Sequence, residues 1–211
     1  KLLRKLGVST LFATGGYPCF FPVVAARSLG IHSIIHESNS IPGRANRLAS
    51  RFADKVLTGF RSAASGFKKT SVYTGNPVRL SLRRYDREFA RAKLNVPDGV
   101  PVVLFLGGSQ GAKAINDMAL KAPEGIHVLL QCGSRDKERI NRESSNLQRI
   151  QVIDFTNDPA LLYSAADIAV ARSGAMTVAE LTWFRIPAVY IPYPFAADNH
   201  QEWNAREIAD K

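Results

Sequence analysis

The chain has 211 residues, of which 45% are hydrophobic and 22% charged, an ordinary globular balance with room for one large domain or two modest ones. No apolar run approaches the roughly 18 residues that a membrane-spanning helix needs, and no signal peptide is visible. Two cysteines, Cys19 and Cys132, argue against a disulfide framework and fit a reducing cytoplasm.

The net charge of +10 is lopsided: residues 1–99 hold 17 Lys and Arg against 5 Asp and Glu, whereas residues 100–211 hold 11 against 13. Two halves so different read as two domains with different partners. A basic half suits nucleic acid or an anionic membrane surface, although any single Lys or Arg is more simply a solvated surface charge.

The elements alternate along the chain. Strands are expected at Thr10–Ala13, His32–His36 and Lys55–Thr58, with helices at Pro22–Leu29 and Arg44–Phe52 between them. A charged helical stretch, Arg83–Lys93, follows the turn at Asn76-Pro77. Beyond it, strands at Val102–Leu106, His127–Leu130, Gln151–Ile153, Ile168–Ala171 and Ala188–Ile191 alternate with helices at Ala112–Leu120, Asp136–Glu143, Ala160–Ala165, Met176–Phe184 and Gln201–Ala209. Such alternation predicts an α/β protein with parallel sheets covered on both faces. The division is residues 1–80, a connecting segment 81–99, and residues 100–211. Lys1–Gly7 reads as the end of a helix and Gln201–Lys211 stops inside one, so the chain is expected to be an internal fragment with an incomplete N-terminal domain.

Two Rossmann-like domains facing a cleft would bind ligands at the carboxyl ends of their strands, and the glycine-rich and polar turns fall there. Arg172–Glu180 is the richest of them: a strand, a Ser-Gly turn and a helix start meet. Free N–H groups and the helix dipole make such a place an anion site. Glu180, about one and a half turns into the helix, can accept hydrogen bonds from a ribose diol. Gly107-Gly108-Ser109-Gln110-Gly111-Ala112 follows a strand and opens a helix, but its spacing fits neither a dinucleotide fingerprint nor a Walker A loop. Ser109 is either a phosphate ligand or an N-cap. His36-Glu37-Ser38-Asn39 ends a strand; a His and a carboxylate suit acid–base work, and Asn39 suits sugar hydroxyls, while turn chemistry explains the same residues. Arg79 is an anion ligand or a surface ion pair. Asp198–Asn204 offers amides for sugar recognition, or a capping box of Asp198 and Gln201. Asp-x-Asp is absent and His and Cys lack metal-ligand spacing, so helix ends and arginines would have to neutralise a diphosphate. No aromatic platform or recognition helix supports nucleic-acid binding.

Taken together and in order, Thr14-Gly15-Gly16-Tyr17, His36–Gly43, Gly75–Arg79, Gly107–Ala112, Arg172–Glu180 and Asp198–Ala205 resemble the MurG family of peptidoglycan glycosyltransferases across nearly the whole chain. The resemblance implies a GT-B fold and an inverting, metal-independent enzyme without a cofactor. It would move N-acetylglucosamine from UDP-N-acetylglucosamine to the C4 hydroxyl of N-acetylmuramyl-pentapeptide on undecaprenyl diphosphate, converting lipid I to lipid II. The enzyme would be peripheral on the cytoplasmic face of the bacterial inner membrane, its basic N-terminal domain meeting the undecaprenyl-linked acceptor and anionic lipid, with no nucleic-acid partner. Another UDP-sugar enzyme of this fold, such as a UDP-N-acetylglucosamine 2-epimerase, is the alternative, but its pattern of carboxylates and histidine is not seen.

By the same resemblance, Glu180 holds the ribose and Ala175, Met176 and Thr177 line the diphosphate and sugar. Ser109 contacts a donor phosphate, the backbone at Thr156 reads uracil, and Gln201 bonds the sugar. Asn39 and Arg79 also reach the donor, and Gly15, Gly16 and Tyr17 serve the acceptor side. The chain departs from the family at Pro18-Cys19-Phe20-Phe21-Pro22, where small residues are usual. The family's first glycine-rich loop and its histidine would precede Lys1, so His36 and Glu37 are the catalytic candidates within the chain.

Overall fold

The computed structural model describes residues 2–108, 111–153 and 156–209. It divides into two compact units, one of Lys1–Pro77, Gly174–Met176 and Pro192–Lys211, the other of Val78–Ser173 and Thr177–Ile191.

The first unit opens with α1 (Leu2–Lys5), β1 (Thr10–Ala13), α2 (Phe20–Ser28), β2 (His32–Glu37), α3 (Arg44–Ala49), β3 (Lys55–Thr58) and β4 (Ser71–Tyr73). Its sheet runs β1-β2-β3-β4, all parallel, with Phe12 opposite Ile34 and Ile35 opposite Val56. Ile35, Val23, Ala49 and Ala53 form its core, with Phe20 packed on them. Helix α2 starts two residues earlier than the sequence suggested, because Pro22 falls within the first turn, where a missing N–H costs nothing. It ends at Ser28 and is closed by Gly30, whose φ of 69° lets the Ile31 N–H reach the Ala26 carbonyl at 2.9 Å. The short strand β4 escaped the sequence reading, since three half-exposed residues carry almost no hydrophobic period.

The second unit holds α4 (Arg87–Lys93), β5 (Val102–Leu106), α5 (Lys113–Leu120), β6 (His127–Gln131), α6 (Lys137–Glu143), β7 (Ile150–Ile153), α7 (Pro159–Ala165), β8 (Ile168–Ala171), all but the first two residues of α8 (Ala175–Phe184), and β9 (Ala188–Tyr190). Its parallel sheet is ordered β7-β6-β5-β8-β9. Strand β5 is apolar throughout because both faces are covered. Val102, Leu104 and Leu106 point to the core holding Ala90, Leu162, Tyr163 and Leu181, while Phe105 points to the one holding Ile115, Ile140 and Val170. Helix α4 begins at Arg87 rather than Arg83, because the Asp86 carboxylate accepts the Phe89 N–H at 3.0 Å and sets the start there. Arg91 then ties this helix to the sheet, donating to the Ala165 carbonyl and, at 2.7 Å, to Asp167, whose carboxylate also accepts the Val102 N–H at 2.7 Å.

The last helix, α9 (His200–Ala209), packs in the first unit. The Asn204 amide oxygen accepts both the Ser40 N–H and the Ser40 hydroxyl at 2.8 Å, and Glu207 accepts the Arg61 N–H at 3.0 Å.

Candidate functional site

In the second unit the strand order reverses between β5 and β8, which lie side by side with Leu106 opposite Ala171. At such a reversal the connections leave in opposite directions and open a crevice at the carboxyl ends of the strands. Gly107-Gly108 follows β5 at this point and Arg172-Ser173 follows β8. The first turn is closely packed: a Cβ on Gly107 would stand 2.7 Å from the Ala112 nitrogen, and one on Gly111, at φ +79°, would collide with the Cys132 carbonyl. Only glycine fits there. Ser109 lies outside the described residues.

The second turn is anchored by Arg172, which donates to the Ile191 carbonyl at 3.0 Å, and by Ser173, which is buried. Helix α8 starts at once, so its first-turn N–H groups lack partners within the helix. Ala175 is buried there, Met176 is exposed and Thr177 half-buried. Glu180 follows on the same helix with its side chain 13% exposed. Its Oε2 accepts the Tyr163 hydroxyl at 2.7 Å, and its Oε1 stands 3.7 Å from Arg79 Nη2. The fold thus brings two of the sequence-derived residues, Arg79 and Glu180, together across 101 positions of chain. Thr156 follows β7; its hydroxyl accepts the Asp158 N–H at 3.0 Å and so shapes the entry to α7.

In the first unit, Gly15 (φ +101°) and Gly16 (φ +83°) follow β1, and Tyr17 is 83% exposed. A Cβ on Gly15 would stand 2.7 Å from the Asn46 amide nitrogen. That nitrogen donates at 2.7 Å to Glu37, whose carboxylate is buried and fully engaged. Its Oε1 also accepts the Asn39 N–H at 2.9 Å, and its Oε2 the Gly43 N–H at 3.1 Å. His36 is buried too: Nε2 donates to the Gly75 carbonyl at 3.0 Å, leaving Nδ1 to accept from the Ser38 hydroxyl at 3.4 Å. Asn39 is held from both sides, by Glu37 and by the Asn204 amide, which donates to its Oδ1 at 3.2 Å. Gln201 lies one turn before Asn204 on α9, and its amide oxygen accepts the Tyr193 N–H at 3.0 Å. That contact replaces the capping box open to Asp198 and Gln201, because Asp198 adopts φ +50° and α9 begins at His200. Phe20 packs edge-on to both Phe52 and Phe21, and Phe21 remains 66% exposed.

Sequence reasoning passed over Tyr163 and Asn46. Tyr163 is a polar hydroxyl in the otherwise apolar run Ala160-Leu161-Leu162-Tyr163, and that oddity was its available signal. Nothing in the sequence sets Asn46 apart within α3. A cavity of about 350 Å³ in the second unit has Arg84, Arg87, Tyr163, Asp167, Phe184 and Arg185 among its lining residues. Arg84 is spent on the Trp183 carbonyl, and Arg87 on Asp167. Among the described residues no three His, Cys, Asp or Glu side chains gather as a metal site would require.

Residues 102–211 match the glycosyltransferase family 28 C-terminal domain, and residues 1–58 match the family 28 N-terminal domain. The chain is similar to the UDP-N-acetylglucosamine–N-acetylmuramyl-(pentapeptide) pyrophosphoryl-undecaprenol N-acetylglucosamine transferases of Acetivibrio thermocellus (34% identity, 99% of this chain and 59% of the relative) and Desulforudis audaxviator (36%, 100% and 61%). It superposes on the crystal structure of Acinetobacter baumannii MurG with a TM-score of 0.78 at 34% identity, covering 99% of this chain and 59% of that one. The chain therefore spans about 60% of the length of these relatives. The resemblance drawn from six motifs is borne out, and so is the expected α/β architecture of the GT-B class. With more than half its length matched by the C-terminal domain, this chain belongs to glycosyltransferase family 28.

Proposed function

We propose that the protein containing this chain transfers N-acetylglucosamine from UDP-N-acetylglucosamine to the C4 hydroxyl of N-acetylmuramyl-pentapeptide on undecaprenyl diphosphate, with inversion and without a metal. The observation that carries this reading is Glu180. A nearly buried carboxylate stands about one and a half turns inside a helix that starts at the strand-order reversal. A diphosphate at the helix start and a ribose along the helix would use both features. The printed activity of the relatives supports the choice of donor and acceptor.

In this reading residues 100–211 supply the donor site, residues 1–80 the acceptor side, and residues 81–99 connect them. Glu180 accepts from the ribose hydroxyls. Ala175, Met176, Thr177, Ser109 and Arg79 attend the diphosphate, and the Thr156 backbone attends the uracil. Gln201 and Asn39 bond sugar, and Gly15, Gly16 and Tyr17 attend the acceptor. His36 and Glu37 are the catalytic candidates within the chain, and each also shapes the Asn39 loop through its buried polar contacts. The acceptor would be met at the cytoplasmic face of the inner membrane, where the basic first half approaches anionic headgroups.

Glu180→Ala is expected to weaken UDP binding by about 1–3 kcal/mol, the usual cost of removing a charged hydrogen-bond partner. Isothermal titration calorimetry with UDP reads this directly, and an unchanged affinity would remove the ribose assignment.

A further inference from the structure

Glu180 is gripped unequally at its two oxygens. Oε2 accepts the Tyr163 hydroxyl at 2.7 Å, whereas Oε1 stands 3.7 Å from the Arg79 guanidinium, beyond hydrogen-bond reach. The two partners differ in stiffness. Tyr163 is 6% exposed on α7, inside the core of the second unit, with its ring packed on Phe184 at 5.1 Å between centroids. The Arg79 side chain is 60% exposed on a long flexible stem. Burial, then the hydrogen bond to Glu180 and its charge, push the Tyr163 phenol well above its ordinary value, so it remains a proton donor at any physiological pH. A carboxylate on α8 would otherwise be free to turn about its last torsion, and a ribose would have to immobilise it on binding.

We infer that Tyr163 is a positioning residue, which fixes the Glu180 carboxylate through Oε2 so that Oε1 is presented to the vicinal diol of the donor ribose. The inference rests on the reading of Glu180 as the ribose ligand. Arg79 can leave Oε1 when a diol arrives, because it is solvated and held by charge alone. Tyr163 cannot leave Oε2 without stranding a buried hydroxyl. The side chain that reads the sugar is therefore prepared by a residue that touches no ligand.

The test compares UDP with 2′,3′-dideoxy-UDP by calorimetry on the full chain and three variants. The parent is expected to prefer UDP by tenfold or more, about the value of hydrogen bonds to a charged acceptor. Glu180→Ala is expected to abolish that preference. Tyr163→Phe keeps the ring on Phe184 and is expected to shrink the preference several-fold, while affinity for the dideoxy ligand stays within about twofold. A purely structural role for Tyr163 would weaken both ligands alike, and that result overturns the inference. Glu180→Asp, too short to keep both the tyrosine and the ribose, is a second probe and is expected to lose the preference although its charge remains. Full preference in Tyr163→Phe, with loss in Glu180→Ala, overturns the role of Tyr163 and leaves the ribose reading standing. Full preference in both overturns both.

Discussion

Single side chains in this protein act mostly by holding other side chains. Asn204 is the clearest case: it is fully buried, and its amide oxygen accepts two donors of Ser40 while its nitrogen donates to Asn39. Asn204→Ala is expected to cost about 1–3 kcal/mol, because the buried Ser40 N–H loses its acceptor in a place that excludes water. Urea unfolding followed by circular dichroism measures the cost, and a variant as stable as the parent would contradict it. Glu37 clasps the same loop at both ends, accepting the Asn39 and Gly43 N–H groups, while Asn204 holds its middle. The sequence marked His36, Glu37 and Asn39 as chemically interesting from residue type alone. It carried no sign that Glu37 faces inward, since that depends on Asn46, nine positions later, arriving beside it.

Among the elements, helices α5 and α6 depend on one charged cluster. Asp136 accepts two bonds from Arg139, at 2.7 and 2.6 Å, and one from the buried Asn116 at 2.8 Å, while Arg139 also reaches Asp117 at 2.8 Å. The Arg139 hydrogen bonds, ahead of the Asn116 bond and the Arg139 charge, hold the Asp136 carboxyl below its ordinary value of 3.8. A carboxyl depressed in the folded state stabilises the fold above its unfolded value. That contribution fades as pH falls below 3.8 toward the folded value, where Asp136 takes up its proton. Thermal melts are expected to show constant support from this cluster between pH 5 and 8 and a decline below about pH 4. Asp136→Asn is expected to melt lower at neutral pH and to flatten that acid decline; an unaltered pH profile in the variant would rule the cluster out as its source. Most elements were legible from hydrophobic period and punctuation, their edges shifting by a few residues. The edges moved where a side chain or a proline sets the first turn, as at Asp86 and Pro22.

For the whole molecule, charge and exposed apolar groups concentrate early in the chain. Residues 1–99 carry a net +12, and Leu2, Leu6, Tyr17 and Phe21 are each at least 66% exposed. No helix among the described residues is long and apolar enough to cross a membrane. Binding to phosphatidylglycerol vesicles is expected to exceed binding to phosphatidylcholine vesicles and to fall with added salt, at about 1 kcal/mol per basic residue at the surface. Co-sedimentation reads both; equal binding to the two lipids would leave charge without a role, and Phe21→Ser tests the apolar share. The amino-acid sequence alone determined the alternation of strands and helices, the parallel pairing that follows from it, and six ordered turns that name a family. Those are local or nearly local properties, set by side-chain period and by glycine at turns. Only the tertiary structure decided that β5 and β8 are neighbours, that Tyr163 and Arg79 meet Glu180, and that α9 returns to the first unit through Asn204. Each joins residues 17 to 164 positions apart, brought together by long-range strand pairing and by polar groups that find partners as the fold closes.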